Sequence, residues 1–152
     1  MRPTYNENAN ELIKQVISKY HCECILEIPE KSLIESSLEE TPLKSKNIRQ
    51  KLVTKLGLKN DMELDSLEKV SNEFILDKNF VKQNKIKIIS NETFKQEGFL
   101  TLSKQCPHGI FWLKKPIFDR KYRTAALDFD LTYSCLSDIK IYKKEKEKWV
   151  IR

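Results

Sequence analysis

The stretch Thr124-Ala125-Ala126-Leu127-Asp128-Phe129-Asp130-Leu131 decides the fold. Apolar side chains at 125, 127, 129 and 131 alternate with Asp128 and Asp130, the period-two pattern of a strand with one buried and one wet face. Its neighbours repeat the theme. Ile110 to Phe118, the continuation of the quoted run to Ser134, Ile139 to Lys143 and Lys148 to Ile151 are rich in aromatic and branched residues and are separated by charged or turn-forming tips. Such spacing predicts an antiparallel meander over residues 106–152.

Upstream of Cys106-Pro107-His108-Gly109 the period changes. Ala9, Leu12, Ile13, Val16, Ile17 and Tyr20 form one apolar stripe, which predicts a helix over about 7–20 with Asn6 or Asn8 as N-cap. Cys22 to Ile28 is β-prone and stops at Pro29, a short strand, and the polar connection 29–42 has room for one helical turn around Ser32–Leu38. Thr41-Pro42 offers an N-cap and a first-turn proline to a helix that ends near Gly57, with Leu43, Leu52, Val53 and Leu56 inward. Leu64, Leu67, Val70 and Phe74 mark a third amphipathic helix over 61–74, started by Asn60, Asp61 or Asp65. Residues 85–89 read as a strand, and 91–97 as a short turn of helix closed by Gly98. The class is therefore α+β, one domain over 1–152, helix-rich over 1–105, with helices packed on a small, mainly antiparallel sheet.

At 152 residues the chain can bury one core, and 39% hydrophobic content with three Gly and five Pro excludes collagen-like, low-complexity and disordered classes. The net charge of +6 comes from opposing blocks. Residues 23–41 are net −5, 42–60 net +6, 61–77 net −5 and 78–95 net +4. Blocks of this kind lie on solvated faces or pair with one another, and aromatic interleaving is missing from Lys44–Lys59 and Lys143–Lys146, with only Tyr142 and Trp149 near, which disfavours a nucleic-acid surface. No apolar run approaches the roughly 18 residues that span a bilayer, and no apolar segment follows Arg2 as in an export signal.

The run Lys115-Pro116-Ile117-Phe118-Asp119-Arg120-Lys121-Tyr122, then Ala125-Ala126-Leu127-Asp128-Phe129, Tyr133-Ser134-Cys135-Leu136 and Glu147-Lys148-Trp149-Val150, resembles the C-terminal meander of small exported proteins and lipoproteins of Bacteroidetes-type bacteria. Glu147 stands where that pattern has Gly before Lys-Trp. The resemblance implies a periplasmic or cell-envelope location, with the export signal and any lipid anchor belonging to the precursor, against a cytoplasmic alternative. Within the motif, Pro116 ends ladder pairing at an edge, Asp119 starts a turn and Trp149 caps the core.

Chemistry-bearing residues are few. His21-Cys22-x-Cys24 and Cys106-Pro107-His108 group both histidines with three of the four cysteines, and Cys135 stands apart. Cys22 and Cys24 on a strand would share a face about 7 Å apart, which departs from the two-residue spacing of structural zinc and suits two separate disulfide partners, or one partner and one free thiol. Cys22, Cys24, Cys106 and Cys135 are the disulfide candidates. Their connectivity is open, buried reduced thiols are the alternative, and neither a metal nor a cofactor is expected. A Cys106–His108 nucleophile lacks an orienting third group, and Asp128 with Asp130 reads as solvated charge. The expectation is a non-enzymatic envelope protein that binds another protein, in its most concrete form an immunity protein against a toxin from a competing bacterium. A basic nucleic-acid-binding module and a small Cys/His- or Asp-dependent hydrolase are the alternatives.

Overall fold

Residues 4–40, 47–131 and 139–151 are described by a computed structural model. Among them the elements run α1 (Tyr5–Ile17), β1 (Cys24–Leu26), α2 (Leu33–Glu40), α3 (Ile48–Lys55), α4 (Asp61–Ser71), α5 (Lys78–Gln83), β2 (Lys87–Ile89), α6 (Asn91–Leu102), β3 (Phe111–Leu113), β4 (Ile117–Phe118), β5 (Thr124–Leu131), β6 (Ile139–Glu145) and β7 (Lys148–Ile151). The strands make one mixed sheet in the order β2-β1-β3-β5-β6-β7, and β4 pairs with β5 beyond the end of β3. β1 is parallel to β2 and β3, and the remaining pairs are antiparallel. The fold is α+β, as the sequence predicts.

The first helix starts earlier than its asparagines suggest. Thr4 is the N-cap, its hydroxyl accepting from the Glu7 N–H at 3.3 Å. Asn6 and Asn10, one turn apart on the helix, act on a different segment. Asn6 accepts from Ile75 N (2.8 Å) and donates to Glu73 O (3.2 Å), while Asn10 accepts from Asp77 N (2.7 Å) and donates to Ile75 O (3.0 Å). Two side-chain amides thus pair with an extended backbone as a neighbouring strand would, and fix the entry to α5. At the other end of α1, Gln15 bonds both backbone groups of Trp149 (2.5 and 2.9 Å), which seats β7. Trp149 is buried against Phe118, ring centroids 5.4 Å apart, in agreement with a core role.

Both faces of the sheet are covered, which corrects the one-wet-face reading of β5. Ala125, Leu127 and Phe129 pack with Ile25, Phe111 and the apolar stripe of α1. On the opposite face Ala126 and Ile117 meet Leu33 and Ile34 of α2, Ile48 and Leu52 of α3, and Leu64 of α4. Asp128 faces the same side and is completely buried, 3.1 Å from the equally buried Lys114. Alternation in β5 separates two helix-covered faces, and a charge on the second face is tolerated because an opposite charge meets it there.

Lys114-Lys115-Pro116 interrupts the strand pairing between β3 and β4. Pro116 therefore marks a break opposite β5, and its carbonyl accepts from the Tyr5 hydroxyl at 2.5 Å. Burial drives the Tyr5 hydroxyl pKa far above its ordinary value, so it remains a donor. Lys115 is buried as well and donates to Glu30 O (2.6 Å).

One residue joins two of the charge blocks. Arg49 of the basic block bonds Asp61 (2.8 Å) and Asp65 and approaches Glu68 (3.5 Å), all on α4. Lys14 meets Asp77 at 2.6 Å. The predicted Thr41-Pro42 cap lies outside the described residues; α3 itself begins at Ile48 after Asn47. α2 fills two turns where one was expected, and α5, which the sequence reading passes over, is capped by the Asp77 carboxylate. α6 continues past Gly98, whose φ of 75° kinks it, to the buried Leu102.

Candidate functional site

Cys24 and Cys106 form a disulfide, two of the four predicted candidates. Cys24 opens β1, and Cys106 follows α6, so the bridge sits in a small core of Ile89, Leu102 and Ile110. Cys22 is a free thiol, and Cys135 lies outside the described residues. The expectation that Cys22 and Cys24 share a face is corrected. β1 begins at Cys24, and Cys22 packs against the core on the α1 side while Cys24 points to the α6 side. Burial pushes the Cys22 thiol up to about 11, so it stays protonated at neutral pH.

The Cys106–His108 pair does not form a nucleophile and base, because the Cys106 sulfur is committed to Cys24 and the chain turns between the two residues. Gly109, with φ of 93°, closes that turn by donating to Cys106 O at 2.9 Å. Asp128 and Asp130 do not make a solvated pair either. Asp128 is buried at the Lys114 ion pair, and Asp130 is half-buried.

His108 instead meets His21. β1 and β3 are parallel neighbours, with Ile25 opposite Phe111, so the residues just before each strand arrive at the same end of the sheet. The two imidazoles stand 4.3 Å apart between ring centroids, and Glu23 lies beside both. Its Oε1 is 3.6 Å from His21 Nε2, and its Oε2 is 3.1 Å from His108 Nδ1. The hydrogen bond to His108 holds the Glu23 carboxyl below the usual carboxylate range. Oε2 is closed off from solvent. Sequence reasoning weighed both histidines only with cysteines and missed Glu23. The spacing His21-x-Glu23, which puts both side chains on one side of an extended segment, was the available signal.

A second feature lies at the far edge of the sheet. β2 is an edge strand, paired among the described residues with β1 only. Lys87 N bonds Glu23 O and Ile89 O accepts from Glu27 N, so the Ile88 N–H and C=O point away from β1. Ile88 is half exposed and borders an apolar cleft of about 310 Å³ walled by Leu26, Ile28, Leu76 and Val81. Lys78 and Lys82 line it, and Lys85 and Lys87 are exposed in the segment that leads into and opens β2. No helix is long and apolar enough to cross a membrane among the described residues. A scan against protein-family models and searches of curated proteins and solved structures found no match.

Proposed function

We propose that this chain is a non-enzymatic protein-binding module of the bacterial cell envelope, working as an immunity-type inhibitor of a toxin. The open β2 edge carries the reading. An edge strand with free backbone groups accepts an added strand from a partner, an adjoining apolar cleft takes a side-chain anchor, and surrounding lysines select an acidic partner surface. Natural proteins guard such edges with lysine against self-association, and Lys85 and Lys87 serve that role here while leaving the edge available to an acidic chain. The Cys24–Cys106 bridge supports an oxidising compartment, where such bonds persist. The resemblance of the C-terminal meander to exported proteins agrees with that location. Against a nucleic-acid role, Arg49 of the basic α3 is engaged by three carboxylates of α4.

The test is genetic and biochemical. A toxin-like gene should stand beside this one, its product should co-purify with this chain at nanomolar affinity, and expression of this chain should protect a cell that receives the toxin. A gene with no such neighbour, or a neighbour whose product neither binds nor is neutralised, overturns the reading. Affinity that resides instead in heparin retention with a steep salt dependence would replace it with the nucleic-acid alternative.

A further inference from the structure

We propose that His21, Glu23 and His108 bind one divalent transition-metal ion, with Zn²⁺ as its representative, through His21 Nε2, a Glu23 carboxylate oxygen and His108 Nδ1. This site does not depend on the protein-binding reading, although the Glu23 carbonyl also accepts from Lys87 N of β2.

The distances support a shared ion. One ligand atom from each residue lies within 4.8 Å of the others. Zinc bound at about 2.0–2.1 Å in a tetrahedron separates its ligands by roughly 3.3 Å. Each Glu23 oxygen already stands near that distance from one imidazole, Oε2 3.1 Å from His108 Nδ1 and Oε1 3.6 Å from His21 Nε2. Both imidazole rings are exposed enough to turn toward a shared ion, His21 at 73% and His108 at 52%. A cation between them would take the place of the proton that His108 Nδ1 shares with Glu23, and would meet the shielded Glu23 Oε2.

The donor set chooses the class of ion. Two imidazoles and a carboxylate suit zinc, copper, nickel or iron, whereas calcium and magnesium favour oxygen alone. Three protein ligands leave the remaining positions to water or to a donor from another molecule, as in open metal sites.

Backbone structure holds the three ligands in place before any ion arrives. Cys24 follows Glu23 directly, Cys106 precedes His108 by two residues, and their disulfide joins the two ligand-bearing segments. The Ile25–Phe111 pairing of β1 with β3 and the Cys106–Gly109 turn fix them a second time. A metal site needs such support from rigid elements, and here it comes from a covalent bond and a sheet.

Untagged, disulfide-intact protein titrated calorimetrically with Zn²⁺ in a non-chelating buffer at neutral pH should bind one ion per chain. His21→Ala, Glu23→Gln and His108→Ala should each weaken binding roughly tenfold or more. His21 and His108 are the chain's two histidines, so imidazole NMR signals report the site in the unmodified protein even if a variant folds poorly. Co²⁺ at substoichiometric amounts should broaden both sets of signals together. No saturable binding, binding that the three substitutions leave unchanged, or Co²⁺ broadening that spares either histidine would overturn the proposal.

Discussion

Cys24 and Cys106, 82 residues apart in the chain, are bonded through their sulfurs at the point where the helical half meets the meander. The bridge closes a loop that contains α2 to α6, so its removal restores much freedom to the unfolded chain. Chain-entropy arguments put the loss for a loop of this length at up to about 4.5 kcal/mol, and removal of native disulfides costs roughly 2–5 kcal/mol. Urea unfolding of Cys24→Ser/Cys106→Ser should show a midpoint lowered accordingly, while Cys22→Ser should change stability far less.

Lys114 and Asp128 are each 1% exposed and face one another at 3.1 Å. Taking away one partner removes the opposite charge from a fully buried ionic group, at a cost of about 3–5 kcal/mol. Lys114→Met and Asp128→Asn should both be strongly destabilising by chemical denaturation. Lys114→Met/Asp128→Leu should lose much less than the sum of the two single changes, since both members of the pair go together.

The hairpin between β6 and β7 turns through Lys146 and Glu147, with φ of 48° and 67°. Two consecutive left-handed residues make the turn type that favours Asn-Gly, and Glu147 occupies the place where the resembling pattern has glycine. Lys146→Asn/Glu147→Gly should therefore stabilise the protein by about 1 kcal/mol, read as a raised denaturation midpoint. An unchanged or lowered midpoint would contradict the turn geometry.

Asp77 receives a hydrogen bond from Lys14 and caps α5 through the N–H groups of Asn79 and Phe80. The Lys14 bond is the main reason that its carboxyl titrates below the usual range. A depressed carboxyl contributes stability that is complete above its unfolded pKa of about 3.9 and is lost as pH falls through the lower folded value. Unfolding free energy measured from neutral pH into strong acid should fall less steeply for Asp77→Asn than for the wild type, and the two curves should converge in acid.

The α1 stripe and the aromatic runs after residue 110 announce their elements because burial follows a simple period, and the meander and the α+β class were legible on that basis. Asp128 misled because alternation reports two faces without saying whether the second is covered; α2–α4, distant in sequence, cover it. Lys114 and Lys115 gave no local sign of burial, since their partners, Asp128 and the Glu30 carbonyl, come from other elements. α5 escaped notice because it is six residues long and buries no side chain fully. The disulfide partners were among the named cysteines, but their pairing depends on β1 lying near the segment after α6. The His21–Glu23–His108 cluster depends on the same kind of proximity, the parallel pairing of β1 with β3, which no short window of sequence contains.

If the β2 edge captures an acidic protein partner, as proposed, Ile88 is the side chain whose replacement should weaken that capture. Ile88 is half exposed, so Ile88→Glu should leave the fold intact while removing the apolar anchor and repelling an acidic surface. Calorimetry against the purified product of the adjacent toxin-like gene should give nanomolar affinity for the wild type and a loss of at least about tenfold for the variant. Equal affinity in the two proteins, or no binding by the wild type, would contradict the account.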